Sequence, residues 1–263
     1  MNKPVVSEIW IYPVKSLGGI RLSSAKVLPK GLEHDRRWML IDEENKFMTQ
    51  RVYPQMALFK LACHEGKFSI HYRDECMDLP FEGSIDPISA IVWNDIVDVF
   101  EVSRQHSNWF SEVLGLKCRL VSFPENNARP VDPRYTINDD HVSLADGYPL
   151  LIIGQSSLDD LNKRLDDPLP MNRFRPNIVF TGGEPFEEDD WNQFRIGQNR
   201  FAGVKPCSRC VLTTVDQDTG IKGKEPLTTL ATFRMRDNKI YFGQNLIPID
   251  HAEITEGDEI VRE

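Results

Sequence analysis

The sequence lacks several features that would assign it to a class at once. No run approaches the roughly 18 to 20 consecutive apolar residues of a membrane-spanning helix, and the apolar segment at 5–12 is too short for a signal-peptide core. No Gly-x-Gly-x-x-Gly and no Walker-type Gly-Lys-Ser/Thr motif is present, so the nucleotide-binding folds built on those loops have no support. Its five cysteines have no regular spacing, which is typical of a reducing compartment. We therefore expect a cytoplasmic protein.

The sequence also has fewer basic than acidic side chains. The chain has 31 basic and 40 acidic side chains, a net charge of -9, within an otherwise ordinary globular composition. Such a surface is unsuited to nonspecific binding of nucleic acids or anionic membranes, so neither is an expected partner. Basic residues beside predicted strands are more informative against this acidic background, and they point to a small anionic ligand.

Short strands separated by turns dominate the first half. They are predicted at residues 9–11, 37–41, 58–61, 68–72 and 96–100, and apolar spacing predicts a helix over 106–114 that ends before Gly115. A polar segment with three prolines, 124–133, favours a domain boundary. We predict a mainly β (α+β) protein with a barrel-like antiparallel sheet in its first half and two domains, residues 1–124 and 125–263.

The second half continues the β pattern. Strands are predicted at 150–153 and 178–180, as a hairpin over 194–204, and at 240–242 and 259–261 on either side of the segment 243–245. Ser156 or Ser157 is predicted to cap a helix that carries Leu158, Leu161 and Leu165 on one face. A short helix with proline in its first turn is predicted over 226–233.

Soft sulfur and positive charge coincide in one hexapeptide, 205–210, which contains Lys205, Cys207, Arg209 and Cys210. Neighbouring cations lower a thiol pKa, so the motif suits a reactive or metal-bound sulfur. The β-branched residues 211–215 predict a strand rather than the helix that a thioredoxin-like motif opens. A structural zinc site needs four ligands, and the other three cysteines are scattered singly, so the sequence does not favour zinc. Two buried apolar cysteines are the simplest alternative.

Further polar residues stand beside the predicted strands. Arginine side chains and a Lys-Ser pair suit a phosphate, and an asparagine can hydrogen-bond a heterocycle. A solvated strand-end charge is the alternative for each basic residue. Asp146 is either a catalytic acid/base, a ligand-orienting carboxylate near a metal, or an ordinary turn residue. The residues concerned are Lys15, Ser16, Arg36, Asp146, Arg173, Arg175 and Asn177.

These motifs resemble MOSC-domain proteins, specifically the group that contains the bacterial YcbX-type proteins and the mitochondrial amidoxime-reducing component. The resemblance extends over nearly the whole chain. The matching segments are 12–16 (Tyr-Pro-Val-Lys-Ser), 35–36 (Asp-Arg), 49–51 (Thr-Gln-Arg), 143–149 (Ser-Leu-Ala-Asp-Gly-Tyr-Pro), 174–177 (Phe-Arg-Pro-Asn), 205–210 (Lys-Pro-Cys-Ser-Arg-Cys), 213–215 (Thr-Thr-Val) and 242–245 (Phe-Gly-Gln-Asn).

The resemblance implies a MOSC N-terminal β-barrel domain followed by a MOSC β-barrel domain, with a molybdenum-molybdopterin cofactor between them. It implies that Cys210, and not Cys207, is the ligand of molybdenum and that Asp146 lies near the metal. The residues implied to hold the pterin and its phosphate are Lys15, Ser16, Arg36, Arg175, Asn177, Ser208 and Arg209.

The implied activity is the two-electron reduction of N-hydroxylated compounds, such as hydroxylamines, hydroxylaminopurines and amidoximes, with loss of water. We expect no iron-sulfur cluster, because a further group of cysteines is absent, so a separate reductase or iron-sulfur protein would donate electrons. No pyridoxal phosphate is expected, because the chain lacks the aminotransferase-like portion of molybdenum cofactor sulfurases. Two alternatives are a non-catalytic cofactor carrier or sulfur-transfer protein, and a dithiol redox protein that uses Cys207 and Cys210.

Overall fold

The computed structural model describes residues 3–81 and 87–263, and β-strands dominate it, which confirms the mainly β prediction. None of the helices in this part of the chain is long and apolar enough to cross a bilayer. In chain order the strands are β1 (Val5–Ile11), β2 (Ile20–Leu22), β3 (Ser24–Leu28), β4 (Gly31–Leu32), β5 (Trp38–Ile41), β6 (Lys60–His64), β7 (Lys67–Tyr72), β8 (Glu75–Leu79), β9 (Pro87–Val92), β10 (Asp95–Glu101), β11 (Arg119–Ser122), β12 (Leu150–Gly154), β13 (Ile178–Thr181), β14 (Gln193–Ile196), β15 (Asn199–Ser208), β16 (Met235–Arg236), β17 (Lys239–Pro248), β18 (Glu253–Thr255) and β19 (Ile260–Arg262).

The largest sheet joins the two ends of the chain. Its strand order is β19-β14-β15-β17-β12-β13-β1-β2, with β16 paired to β17. The N-terminal strand β1 is antiparallel to β13, with Ile9 opposite Ile178, while β12 and β13 are parallel. The segments that follow β1 and precede β12 and β13 therefore lie at one edge of the sheet, although they are far apart in the sequence.

Within the described residues, three smaller sheets contain the remaining strands of the N-terminal half together with β18. Their strand orders are β5-β11-β10-β9, β18-β3-β4 and β6-β7-β8. One buried apolar cluster connects them to the large sheet and includes Ile9, Trp38, Phe110, Phe180 and Phe201. Strands from both predicted domain ranges thus share one sheet and one core, and the division at 124/125 stays a prediction.

The predicted helix near residue 106 is confirmed as α1 (Arg104–Leu114). The hydroxyl of Ser103 accepts a hydrogen bond from the backbone N–H of His106 at 3.2 Å and caps its first turn. Gly115 follows in a left-handed conformation with φ of 66°, which a glycine adopts without steric cost. The other two helices are α2 (Gln155–Asn162) and α3 (Leu227–Ala231).

The predicted serine cap of α2 is wrong. Gly154 occupies the N-cap position, and it has no side chain to accept a hydrogen bond. Ser157 is instead fully buried, where its hydroxyl donates to the carboxylate of Glu188 at 2.9 Å. The Ser157 hydroxyl therefore bonds a residue distant in sequence and does not cap the helix as the local sequence predicted.

The predicted strand after Cys210 is also wrong, because Val211–Thr214 form a 3-10 helix. The hydroxyl of Thr213 donates to the carbonyl of Cys210 at 3.0 Å, and that of Thr214 donates to the carbonyl of Val211 at 2.8 Å. Such local side-chain bonds compete with sheet pairing and offset the β propensity of these residues. The cysteine pair consequently lies at the end of β15 and not at the start of a strand.

The segment 243–245 was predicted to separate two strands, and the structure contradicts this, because it lies inside β17. Gly243 has φ of 80°, and a Cβ atom there would lie 2.9 Å from the carbonyl oxygen of Ile152 in β12. Only glycine fits this close approach, so the residue that suggested a turn allows the strand to continue.

Candidate functional site

All the site residues implied by the family resemblance line one cleft of about 330 Å³. Cys207 lines it as well, whereas Arg173 and Lys205 are not among its lining residues. The predicted residues that meet there are Lys15, Ser16, Arg36, Asp146, Arg175, Asn177, Ser208, Arg209 and Cys210.

Backbone hydrogen bonds hold the lining segments in place. The N–H of Lys15 donates to the carbonyl of Trp38 at 2.7 Å, which fixes the segment after β1. The N–H of Asn177 donates to the carbonyl of Leu151 at 2.8 Å. The Asn177 side chain accepts from the N–H of Leu151 at 3.2 Å and donates to the carbonyl of Trp10 at 3.1 Å, so it joins β1, β12 and the start of β13.

Four lining residues other than glycine adopt left-handed backbone conformations. Ser16 has φ of 68°, Arg36 of 53°, Trp93 of 59° and Arg175 of 55°. Such conformations are uncommon for residues with a Cβ atom and cost free energy, and they cluster at functional sites. The fold accepts this strain at the positions where side chains must point into the cleft.

The inner wall of the cleft consists of two arginines that lie over one phenol ring. The guanidinium carbons of Arg36 and Arg175 lie 4.3 Å and 4.2 Å from the ring centroid of Tyr12. Arg36 pairs with the buried carboxylate of Asp35, whereas Arg175 donates to the carbonyl of Leu17 at 2.7 Å. Burial lowers the pKa of Arg175 to about 10, because desolvation disfavours its charge.

At the mouth of the cleft, Asp146 accepts hydrogen bonds from three side chains. The Lys15 ammonium and the Arg51 guanidinium each donate at 2.6 Å, and the indole N–H of Trp93 donates at 3.2 Å. Desolvation raises the pKa of Asp146, but the charges and hydrogen bonds of Lys15 and Arg51 outweigh this and hold the pKa well below its usual range. Burial lowers the pKa of Lys15 to about 8, although Asp146 partly offsets the effect.

Positive charge exceeds negative charge in the cleft. Among the lining residues that the structure describes, Asp146 is the one carboxylate, against the five cations Lys15, Arg36, Arg51, Arg175 and Arg209. The Nε atom of Arg209 is buried and has no hydrogen-bond partner within the described chain. Buried donors without partners are costly, so the arrangement favours an anionic ligand that supplies acceptors.

Each cysteine of the pair receives a hydrogen bond from a different arginine. Arg51 donates from Nε to the Sγ atom of Cys210 at 3.2 Å. Arg209 donates from Nη1 to the Sγ atom of Cys207 at 2.9 Å. Both thiols are half-buried, so both are shielded yet reachable from the cleft. Across residues 3–81 and 87–263 no three His, Cys, Asp or Glu side chains group as a candidate metal cluster.

Sequence reasoning did not name Arg51, Trp93 or Tyr12 as site residues. Arg51 contacts Cys210 across 159 positions of sequence. Arg51 does belong to one of the segments that carry the family resemblance, and that segment is the one signal that pointed to it. Nothing in the sequence around Trp93 distinguishes it from an exposed turn residue.

Comparison with known proteins identifies two family domains. The profile described as MOSC domain matches residues 139–261, and that described as MOSC N-terminal beta barrel domain matches residues 3–117. The cleft includes residues from both matched ranges.

Curated relatives match most of the chain. It is 34% identical, over an aligned length of 280 residues, to mitochondrial amidoxime-reducing component 1 of Homo sapiens, which covers 97% of this chain and 82% of that protein. It is 36% identical to mitochondrial amidoxime reducing component 2 of Bos taurus, with 88% and 73% covered. It is also 31% identical to molybdenum cofactor sulfurase of Oryza sativa subsp. japonica, where 96% of this chain aligns with 33% of that longer protein.

Proposed function

The chain belongs to the MOSC-domain family, and from this premise we propose that it is a molybdenum-dependent oxidoreductase that reduces N-hydroxylated compounds. The proposed substrates are hydroxylamines, hydroxylaminopurines and amidoximes. Each turnover would add two electrons and two protons, break the N–O bond and release water. We propose that a separate reductase or iron-sulfur protein supplies the electrons.

One observation carries the proposal: the sulfur of Cys210 lies in a cleft with five cations and one carboxylate. A thiolate suits molybdenum, and guanidinium groups in excess of carboxylates suit a pterin phosphate, so the donors present fit a molybdenum-molybdopterin cofactor. Cys210 would bind the metal. The pterin and phosphate would be held by Lys15, Ser16, Arg36, Arg175, Asn177, Ser208 and Arg209.

When bound, this cofactor would supply the two-electron redox chemistry. The protein's own contribution is orientation. Arg51 contacts both the Cys210 sulfur and Asp146, and it therefore fixes the sulfur relative to the cleft mouth. The low pKa of Asp146 keeps this carboxylate ionised at neutral pH, which suits it to position Lys15 and Arg51 rather than to donate a proton.

An alternative is a non-catalytic carrier of the cofactor or a sulfur-transfer protein. The observation that favours it is the alignment of 96% of this chain with a protein named for cofactor sulfuration. This alternative requires bound cofactor, or a persulfide on Cys210, without turnover of any N-hydroxylated compound.

The test compares Cys210→Ala with Cys207→Ala in protein expressed in cells that make the cofactor. We expect near-stoichiometric molybdenum and pterin in the wild type and in Cys207→Ala, and loss of molybdenum from Cys210→Ala. Reduction of benzamidoxime with an artificial electron donor should follow the molybdenum content. Equal damage from both substitutions would favour dithiol chemistry, and loaded protein without turnover would favour the carrier.

A further inference from the structure

Trp93 occupies a turn position that is unfavourable for a bulky residue. It follows β9 in the hairpin with β10, where Val92 pairs with Asp95 across a two-residue turn. Its φ of 59° is one that glycine, asparagine or aspartate adopts more easily. The indole is 45% exposed even so. An exposed tryptophan in a strained turn gains little for folding, and strain of this kind accumulates at functional sites.

Three contacts fix the indole at the mouth of the cleft. Its N–H donates to Asp146 at 3.2 Å, and the Arg51 guanidinium carbon lies 4.6 Å from its ring centroid. The ring of Phe47 packs beside it with a centroid distance of 5.1 Å and an angle of 54° between planes. The ring is thus held in one orientation while nearly half of its surface is free for a ligand.

Arg51 places this aromatic surface close to the sulfur of Cys210. Its Nε atom donates to the sulfur at 3.2 Å while its guanidinium carbon contacts the indole, so one guanidinium group separates the two. The buried cations line the deeper part of the cleft, and Trp93 is its most exposed aromatic surface. A ligand bound beside Cys210 therefore has an exposed aromatic surface within reach.

We propose that Trp93 determines substrate specificity by stacking on planar, π-conjugated N-hydroxylated compounds. This inference rests on the proposed function and narrows it. Aryl amidoximes and hydroxylamino derivatives of purines and pyrimidines are the favoured class, and hydroxylamine and its alkyl derivatives are disfavoured. An aromatic side chain can stack on many different flat ring systems, since every heteroaromatic base has a π-face.

The first test measures kcat/KM for benzamidoxime and for hydroxylamine in cofactor-loaded Trp93→Ala and Trp93→Phe. We expect Trp93→Ala to lose about tenfold with benzamidoxime and less than about twofold with hydroxylamine. Trp93→Phe keeps a ring but loses the N–H, so it should retain most of the selectivity. The matched control is Phe81→Ala, because Phe81 is also 45% exposed and does not line the cleft. A selectivity ratio unchanged in Trp93→Ala overturns the proposal.

A second test is independent of turnover. Isothermal titration of the loaded protein with benzamide, a planar isostere without an N–O bond, should give a Kd at least about tenfold lower than that for acetamide. Trp93→Ala should abolish this preference. Wild type that binds the two amides equally, or a variant that keeps the preference, overturns the role of Trp93. Loaded wild type that binds benzamide but reduces neither substrate contradicts the proposed function instead.

Discussion

The two ends of strand β12 each lie beside buried charged groups, and they differ in whether the protein supplies partners for those groups. At its last residue, the N–H of Gly154 donates to the carboxylate of Glu188 at 3.2 Å, and the hydroxyl of Ser157, just beyond the strand, donates to it at 2.9 Å. At its first residues, Leu150 and Leu151, the strand lines the cleft with its excess of cations. A buried charge is costly unless its partners are present. The protein supplies the hydrogen-bond donors that Glu188 needs, whereas the cations of the cleft outnumber the carboxylates beside them.

This difference separates a structural site from a binding site. Glu188 is fully buried, and burial raises its pKa to about 7 in spite of the hydrogen bonds that it accepts. Arg175 is also buried, yet within the described chain it has no carboxylate partner. Substitutions at Glu188 and its neighbours should therefore change stability, whereas substitutions of the cleft cations should change ligand affinity.

The largest expected effect is that of Arg175→Met on cofactor affinity. Removal of a buried cation that faces an anion should weaken retention by about 100-fold, measured as the rate of pterin release from loaded protein. The free energy of unfolding of the cofactor-free protein should stay within ~1 kcal/mol of wild type, because desolvation of the lost charge no longer opposes folding.

The matched control is Arg173→Met, two residues away. Arg173 is buried but donates to the Thr213 carbonyl at 2.9 Å and pairs with Asp216 at 3.3 Å. This variant should lose ~3 kcal/mol of unfolding free energy in urea denaturation. A similar loss in Arg175→Met would abolish the distinction between the two regions.

The next effect is a pH dependence from Glu188. Its folded pKa of about 7 lies above its ordinary 4.5, so its stabilising contribution is fully present below pH 4.5 and is lost as pH rises through 7. The free energy of unfolding of wild type relative to Glu188→Gln should fall by ~3 kcal/mol between pH 4.5 and pH 8. Denaturant titrations of both proteins at several pH values would measure it. A constant difference across this range would show that Glu188 is ionised throughout.

The smallest effect expected is that of Ser157→Ala. The substitution removes the hydrogen bond to Glu188 and leaves the N–H of Phe186 without its 2.7 Å acceptor, at a cost of ~2 kcal/mol in thermal or urea unfolding. Ser156→Ala is the matched control, since the hydroxyl of Ser156 is buried without a partner in the described chain. It should be nearly neutral. Equal losses of unfolding free energy in the two variants would show that the effect comes from the helix backbone and not from the hydrogen bonds of Ser157.

The sequence and the family resemblance predicted more of the residues inside the cleft than of those at its mouth. Lys15, Arg175 and Cys210 belong to compact segments that carry the family resemblance, and that resemblance selected them. Arg51 and Trp93 act through contacts across the fold, with separations of 159 positions to Cys210 and 53 to Asp146. No periodicity encodes such contacts, because strand order and not local propensity creates them.

Tertiary partners also explain the errors in secondary structure. Ser157 has the local character of a helix cap, but Glu188, 31 positions away, accepts its hydrogen bond. Gly243 has the character of a turn residue, but the carbonyl of Ile152 in the neighbouring strand is what requires a glycine there. In both cases the residue type was informative, and the partner that explains it was not visible from the local sequence.

The position of β1 sets the order of events in biosynthesis. Ile9 lies opposite Leu22 of β2 on one side and Ile178 of β13 on the other, so β1 can pair with β2 early but joins the rest of the large sheet only when β13 has been made. The cleft, which needs Lys15 from beyond β1 and Cys210 from beyond β15, is assembled only after that pairing. A cofactor held in this cleft would therefore be bound only after Cys210 has been translated and β1 has paired with β13.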